Sequence, residues 1–427
     1  MKFTVSRVAL GGAVAFVSRA LPSRPVVPVL SGILLDAADG RLTLSCFDYE
    51  VSARIRVGAE VAEPGTALVP GRLLAEIARS LSARPAEFAG DGDVVTLTCG
   101  RAEFGLVCLP AADYPVLPAS PVAAGVIDGG VLAAAVAQVA TSASRDDTLP
   151  MLTAICLDIS GETMTLAATD RYRLAARVAD FAPAEPGLRA LALVPARFLA
   201  DAAKTFAAGT PVTVAFGAGP GDHAPAGEAS RAHRAPAGRP RPAEGMACFE
   251  AGDRRLTARL IAGEFISYAS RFGSDFGCRA ELPAWPVIEA VRRAALVAER
   301  AGPVRLTFQP DQVVIEAHAE GRARAAETVG AEFTGPEPVI SFNPHFLLDG
   351  LTAAAICGAG ASADRVPGPG GDPEAGADDA AAGAGRIRLE FNTPAKPALI
   401  TWTPDEQRDG VPTFRYLLVP LRVADRA

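Results

Sequence analysis

The chain has 427 residues, 49% of them hydrophobic, and a formal net charge of −7. That composition supports substantial cores and excludes a wholly disordered chain; the acidic balance excludes a protein coated uniformly with basic residues but leaves room for a local basic surface. Seven cysteines without a C-x-x-C pair, several in apolar strand patterns such as VTLTCG and AICLDI, read as reduced, buried thiols rather than a disulfide frame or a zinc site.

The opening MKFTVSRVALGG lacks a basic n-region and a signal-length apolar core, and apolar runs elsewhere break before about 18 residues. A cytoplasmic protein without a membrane partner is expected. Apolar residues at three- and four-residue spacing predict a helix over 8–21, and period-two alternation predicts a strand over 41–45, entered through the turn AADG. A second helix, announced by VP, is expected over 71–81, followed by strands over 94–98 and 103–108.

The order then returns. Helices are predicted over 130–143 and 196–206 with a strand over 164–168 between them, and again over 286–298 and 345–355. PVLSGILLDAADGRLTLSCFDYEVSARI from Pro28 matches PMLTAICLDISGETMTLAATDRYRLAARV from Pro150 and, more weakly, PVRLTFQPDQVVIEAHAEGRARAAETV from Pro303. Second landmarks follow at Val69 (VPGRLLAEIARSL), Val194 (VPARFLADAAKTF) and Phe342 (FNPHFLLDGLTAAA). A period of roughly 120 residues is domain-sized, unlike solenoid and propeller repeats of about 20 to 50. Three similar α+β domains are expected over 1–121, 122–278 and 279–427, each with helices covering one face of an antiparallel sheet.

Two stretches break the pattern. Residues 217–244 and 358–385 are rich in Gly, Ala and Pro with almost no large apolar residue, so neither offsets its ordering entropy, and both read as disordered loops. The second holds Asp364, Asp372, Glu374, Asp378 and Asp379 against Arg365, and so supplies more than half of the net charge.

No enzyme site converges. GAGPGD at Gly217 lacks both the P-loop Lys-Ser/Thr and the G-x-G-x-x-G spacing. His223, His233, His318 and His345 have no metal-ligand spacing. Asp146 and Asp147 read as a turn or helix cap, and Asp170 in ATDRYRLA has a counterpart, Asp48 in CFDYEVSA, which assigns both a structural turn role first. Basic residues are more suggestive. Arg7, Arg19, Arg24, Arg72, Arg79, Arg197, Lys204, Arg292, Arg293 and Arg300 belong to helices or adjoining loops; if equivalent helices face one way, their charges add into a stripe that attracts a phosphate backbone without reading sequence. Ordinary solvated helix faces are the competing reading.

The ordered motifs RPVVPVLSGILL, FDYEVSA, VPGRLL, LPAADYPVLP, RDDTLPMLT, ATDRYRLA, VPARFL, LVAER, FNPHFLLDGL, KPALI and YLLVPLR resemble the bacterial DNA sliding clamp, the β subunit of the replicative DNA polymerase III holoenzyme, in its actinobacterial form. The resemblance covers the chain except the two low-complexity stretches. It implies a head-to-tail homodimeric ring around double-stranded DNA, a non-catalytic processivity factor without cofactor or metal, and replicative polymerase and clamp loader as partners, near the nucleoid. Arg24 matches a DNA-touching position of the family. Phe104 and Leu106 on an edge strand would meet Leu296 and Val297 of the other chain, although the same apolar residues would be core in a monomer. Partner peptides would enter a pocket matched by Leu152, Thr169, Arg171, Tyr172, Arg173 and Leu174, joined by Asn343, Phe346, Leu417, Val419, Pro420, Leu421 and Arg422. Departures cluster there: Ile266 stands where the family usually has proline, and Val419 replaces a frequent methionine. They suggest altered peptide or inhibitor affinity. A specialised second clamp, or a decoy that binds an inhibitor and gives tolerance to a clamp-targeting antibiotic, is the alternative function.

Overall fold

The computed structural model describes residues 1–217, 243–273, 275–298, 302–319, 321–337, 339–357, 385–403, 407–408 and 411–421. Nearly all of both low-complexity stretches, with His223, His233, Arg300 and Arg422, lie outside them. Six α-helices are described: α1 (Arg7–Val17), α2 (Gly71–Ser80), α3 (Gly129–Ala140), α4 (Ala196–Ala203), α5 (Ala284–Val297) and α6 (Pro344–Ile356). Each repeat runs strand, helix, five strands, helix, three strands, with a two-residue hairpin interrupting the last three in the third repeat. Sequence periodicity predicts fewer strands than this, in the first repeat only those over 41–45, 94–98 and 103–108. Short strands such as Lys2–Val5 and the edge strand Glu60–Glu63 escape it, because they are too brief to display a period.

Local chemistry sets the helix ends. Ser6 caps α1 by accepting from Ala9 N at 3.2 Å, and Leu10, Ala13, Val14 and Val17 form its buried stripe. The helix stops short of residue 21 because Ser18 Oγ bonds back to Val14 O at 2.6 Å, and the chain tightens into a 3₁₀ turn, Ser18–Ala20. Pro70, Pro195 and Pro283 stand at the N-caps of α2, α4 and α5. Pro286 lies inside the first turn of α5, where a missing N–H costs nothing, so that helix starts at Ala284 and not at the proline.

The chain forms two compact units. The first comprises Met1–Gly129, Ser160–Glu162 and Phe181–Ala262. Its larger antiparallel sheet runs, in hydrogen-bonded order, Ala182–Pro183, Ala123–Asp128, Pro211–Gly217, Met246–Ala251, Arg254–Arg259, Val51–Gly58, Arg41–Phe47, Gly32–Ala38 and Gly65–Pro70. The pairing of Arg254–Arg259 with Val51–Gly58 fuses part of the second repeat to the first. A smaller sheet runs Glu60–Glu63, Lys2–Val5, Ala86–Asp91, Val94–Cys99 and Ala102–Val107. Its inner face stacks Phe3 on Phe88 with centroids 4.7 Å apart.

The second unit comprises Gly130–Ile159, Thr163–Asp180 and Gly263–Ala427. There Arg173–Asp180 pairs with Phe414–Leu418, joining the other part of the second repeat to the third. The sheet continues through Ala398–Thr403, Arg386–Phe391, Cys278–Pro283 and Glu332–Thr334. A separate sheet runs Ala323–Gly330, Gln312–Ala319, Val304–Phe308 and Val339–Phe342, with α5 packed against its first two strands and against α6. Contact thus groups three sequence repeats into two bodies, because inter-repeat strands pair as closely as those within a repeat.

None of the seven cysteines is in a disulfide; Cys108 and Cys357 are half-buried and the other five buried. Burial pushes the Cys46 thiol up to about 12. Asp48 and Asp170 build the same turn. Asp48 Oδ1 accepts from Glu50 N at 3.0 Å and Val51 N at 2.7 Å, while Asp170 Oδ1 accepts from Tyr172 N and Arg173 N, each at 3.0 Å. The residue after each aspartate is left-handed, Tyr49 at φ 74° and Arg171 at φ 79°. Asp146 likewise serves a turn, its Oδ1 accepting from Thr148 N at 3.0 Å and Thr148 Oγ1 at 2.7 Å.

Candidate functional site

The Asp170 turn opens the site in the second unit. Thr169 Oγ1 donates to Arg173 O at 2.6 Å and accepts from Arg171 N at 3.2 Å. The turn presents Arg171 and Tyr172 to solvent and aims Arg173 inward, where its side chain is 9% exposed. Arg173 Nε donates to Asp170 Oδ2 at 2.9 Å; Nη1 reaches Asp349 Oδ2 at 2.5 Å and the Tyr416 hydroxyl at 3.5 Å. Its guanidinium lies 4.3 Å from the Phe346 ring centroid. Burial opposes the charge, but Tyr416, Asp349 and Asp170 together raise the Arg173 pKa above its ordinary value.

Helix α6 supplies the opposite wall. Asn343 caps it, its Oδ1 accepting from His345 N at 3.0 Å and Phe346 N at 3.2 Å, which fixes Phe346 in the first turn. Tyr416 donates to Phe346 O at 2.8 Å, and burial raises the pKa of its phenol against the pull of Arg173. Gly350 lets that phenol ring approach the helix: a Cβ there would stand 2.5 Å from Tyr416 Cε1.

Tyr172 and Phe346 stack with centroids 6.3 Å apart. Val419 N donates to Tyr172 O at 2.9 Å, and Leu421 N to Ser341 O at 2.8 Å, which ties residues 419–421 to the Asp170 turn and to the strand that precedes α6. Leu417 pairs with Leu174 in the adjoining strands. Tyr172 is 57% and Val419 38% exposed, whereas Leu152, Leu174 and Pro420 are buried; Ile266, Leu417 and Leu421 are half-buried. Leu152 sits in a 3₁₀ turn packed against Thr163–Thr169. Arg422 lies outside the described residues. The result is a partly exposed apolar surface floored by a compensated ion cluster.

Basic candidates fall into two groups. Arg19, Arg24, Arg72, Arg79 and Arg197 are exposed, and Arg7 is half-buried. Arg72 Nη2 donates to Pro22 O at 3.2 Å and Ser23 O at 2.8 Å, which holds the loop carrying Arg24, and Arg79 Nε turns back to Ala75 O at 3.1 Å. Lys204 pairs with Asp201 at 2.8 Å, Arg292 pairs with Glu289, and Arg293 forms two bonds of 2.7 Å to Glu327. Those three already face carboxylates.

Of the interface candidates, Leu296 is 83% exposed at the end of α5 and Val297 half-buried. Ala102–Val107 is an edge strand; Phe104 is half-buried, but Leu106 is fully buried in the core of its own unit. Strand alternation turns Leu106 inward and Val107 outward.

Comparison with known proteins agrees with this architecture. Residues 1–118, 126–266 and 279–356 match the N-terminal, central and C-terminal domain models of the DNA polymerase III beta subunit. The chain is 42% identical over 425 residues to the beta sliding clamp of Streptomyces coelicolor, covering 99% of this chain and 100% of that one. The chain belongs to the beta sliding clamp family. It is 39% identical to a beta sliding clamp homolog, GriR, of Streptomyces muensis, over 82% of this chain and 88% of the relative. The fold of a Bacillus subtilis sliding clamp superposes with a TM-score of 0.80 at 23% identity, covering 99% of this chain and 100% of that one. A Pseudomonas aeruginosa clamp bound to griselimycin superposes at 0.79 with 23% identity and the same coverage. Membership makes the chain a processivity factor and not a catalyst.

Sequence reasoning missed two members of this clamp's ion cluster, Asp349 and Tyr416. Asp349 was legible in principle, since it stands one helical turn after Phe346 in FNPHFLLDGL and therefore on its face. Tyr416 was not, because only the pairing of distant strands brings it beside Arg173. Among the described residues no group of three or more potential metal-binding side chains forms, and no helix is long and apolar enough to cross a membrane.

Proposed function

We propose that this sliding clamp closes head to tail as a homodimeric ring on double-stranded DNA and tethers the replicative polymerase and other partners through the Tyr172–Phe346 surface. The observation that carries the tethering is exposed Tyr172 stacked on Phe346, with exposed Val419 bonded to the Tyr172 carbonyl. A short peptide with apolar anchors fits such a surface, and pre-ordered walls limit the entropy lost on binding. Leu152, Thr169, Arg171, Arg173, Leu174, Ile266, Asn343, Leu417, Pro420, Leu421 and Arg422 complete or support it in this reading.

Phosphate attraction falls mainly to the exposed Arg19, Arg24, Arg72, Arg79 and Arg197, and less to half-buried Arg7. Lys204, Arg292 and Arg293 contribute less, because their paired carboxylates compete with phosphate. Contacts to phosphate alone leave the ring out of sequence register, which permits sliding. Ring closure uses the backbone edge of Ala102–Val107 and Phe104 against Leu296 and Val297; Leu106 acts from inside its own core. The domains span 1–121, 122–278 and 279–427, a division supported by the three matched family segments. The site of action is the cytoplasm, at the nucleoid, with the clamp loader among its partners.

The test is loading onto primed circular DNA with cognate loader and polymerase. Retention on closed circles, release on linearisation and long products support a topological clamp; failure to load refutes it. A second reading, a specialised copy with altered inhibitor affinity, is favoured by the likeness to the GriR homolog and by Ile266 and Val419 in the pocket. Affinities for a clamp-binding peptide and an inhibitor equal to those of a housekeeping clamp would sink it.

A further inference from the structure

The repeats place a second site in the first unit at the position equivalent to the Arg173 cluster. Asp48 corresponds to Asp170 through the shared turn, so Val51 corresponds to Arg173. The neighbouring strands agree: Val51 pairs with Ala258 as Arg173 pairs with Leu418, and Arg259 N donates to Glu50 O at 2.7 Å as Val419 N does to Tyr172 O at 2.9 Å. Ile261 N donates to Leu193 O at 2.8 Å as Leu421 N does to Ser341 O at 2.8 Å. Helix α4 therefore takes the place of α6, with Phe198 at the position of Phe346 and Asp201 at that of Asp349.

One member of the constellation differs. In the second unit an arginine fills the space over the phenyl ring and bridges both aspartates; in the first, valine stops short. Asp48, Val51, Phe198 and Asp201 instead line a cavity of about 350 Å³, with Arg19, Arg197 and Arg259 also on its wall. Arg259 is engaged with Glu50 at 3.4 Å, and Asp201 with Lys204 in an exposed pair that exchanges readily. Asp48 has no cationic partner among the described residues. Its Oδ1 serves the turn, which leaves Oδ2 to accept.

We propose that this cavity binds an arginine side chain presented by a partner protein, next to an acidic residue in the same segment. The guanidinium takes the place that Arg173 occupies in the other unit, over Phe198 and bonded to Asp48 and Asp201. The adjoining carboxylate reaches Arg19 or Arg197, whose charges would repel a purely basic segment. The geometry is already realised once in this chain by an internal residue, and the donors and acceptors match a planar guanidinium rather than a compact ammonium. This site is separate from the Tyr172–Phe346 surface, and its test stands whether or not that surface binds partners; it shares Arg19 and Arg197 with the proposed phosphate-facing set, so the segment and DNA compete for them and the titration is done without DNA.

The experiment titrates the full-length clamp with acetyl-Arg-Asp-amide, following the methyl resonances of Val51 and Leu256. Saturable shifts are expected, weakened about tenfold when citrulline replaces the arginine. Asp48→Asn keeps the turn acceptor and is expected to weaken binding about tenfold with unchanged unfolding temperature. Val51→Arg supplies the guanidinium internally, so it is expected to abolish binding and raise the unfolding temperature. No saturable binding, equal binding of the citrulline peptide, or undiminished binding to folded Val51→Arg would each overturn the proposal.

Discussion

Arg173→Ala is the sharpest test of how the partner surface is held together. The substitution removes bonds to Asp170 at 2.9 Å and Asp349 at 2.5 Å and the support under the Phe346 ring. Deleting one partner of a buried ion pair costs about 3–5 kcal/mol. Asp170 keeps two backbone donors, and Asp349, at 39% exposure, can turn to water, so the low end applies, about 3 kcal/mol. For a cooperative unit of roughly 200 residues that lowers its unfolding midpoint by roughly 6–12 °C. Calorimetry resolves this, since only the transition of the second unit is expected to move. Arg173→Lys keeps charge but not the fork and is expected to recover less than half of the loss. A loss below about 1 kcal/mol for the alanine variant would refute the bridging role, because an exposed pair costs no more than that.

Gly350→Ala is expected to destabilise by about 1–3 kcal/mol and to weaken peptide binding, because the added methyl meets the Tyr416 ring that anchors Phe346 O; thermal unfolding and a peptide titration check both. The Arg293 side-chain bonds hold the Glu327 carboxyl below its ordinary 4.5. Its contribution, up to about 1 kcal/mol for so exposed a pair, is therefore fully present above pH 4.5 and lost as pH falls through the lower folded value; a pH-independent difference between wild type and Glu327→Gln would contradict this. Native alkylation at pH 8 is expected to spare Cys46, buried and pushed up to about 12, while Cys108 and Cys357 react first. Peptide mass mapping reads the order.

Much of this clamp was legible in the chain itself. The six helices fell within a few residues of their observed spans, because each combines apolar spacing with a local start signal such as Ser6, Pro195 or Asn343. The paired Asx turns were legible for the same reason: Asp48 and Asp170 bond to backbone within three residues, and repetition exposed the shared role. The matched motifs also led to Tyr172, Phe346 and Val419 before any contact was known. They did not reveal which side chains hold that surface together.

Sequence alone thus determined three domain-sized repeats, their helices and turns, and the family, since all of these rest on local spacing and ordered motifs. Tertiary structure decided what depends on pairing between distant segments. Joining Arg254–Arg259 to Val51–Gly58 and Phe414–Leu418 to Arg173–Asp180 divided the second repeat between two bodies. Strand register turned Leu106 into its own core. It also set Asp349 and Tyr416 around Arg173 and left Val51 facing a cavity in the matching place. Two positions with the same local pattern differ there by one side chain, and only the packing around them shows that the difference changes a filled ion cluster into an open pocket.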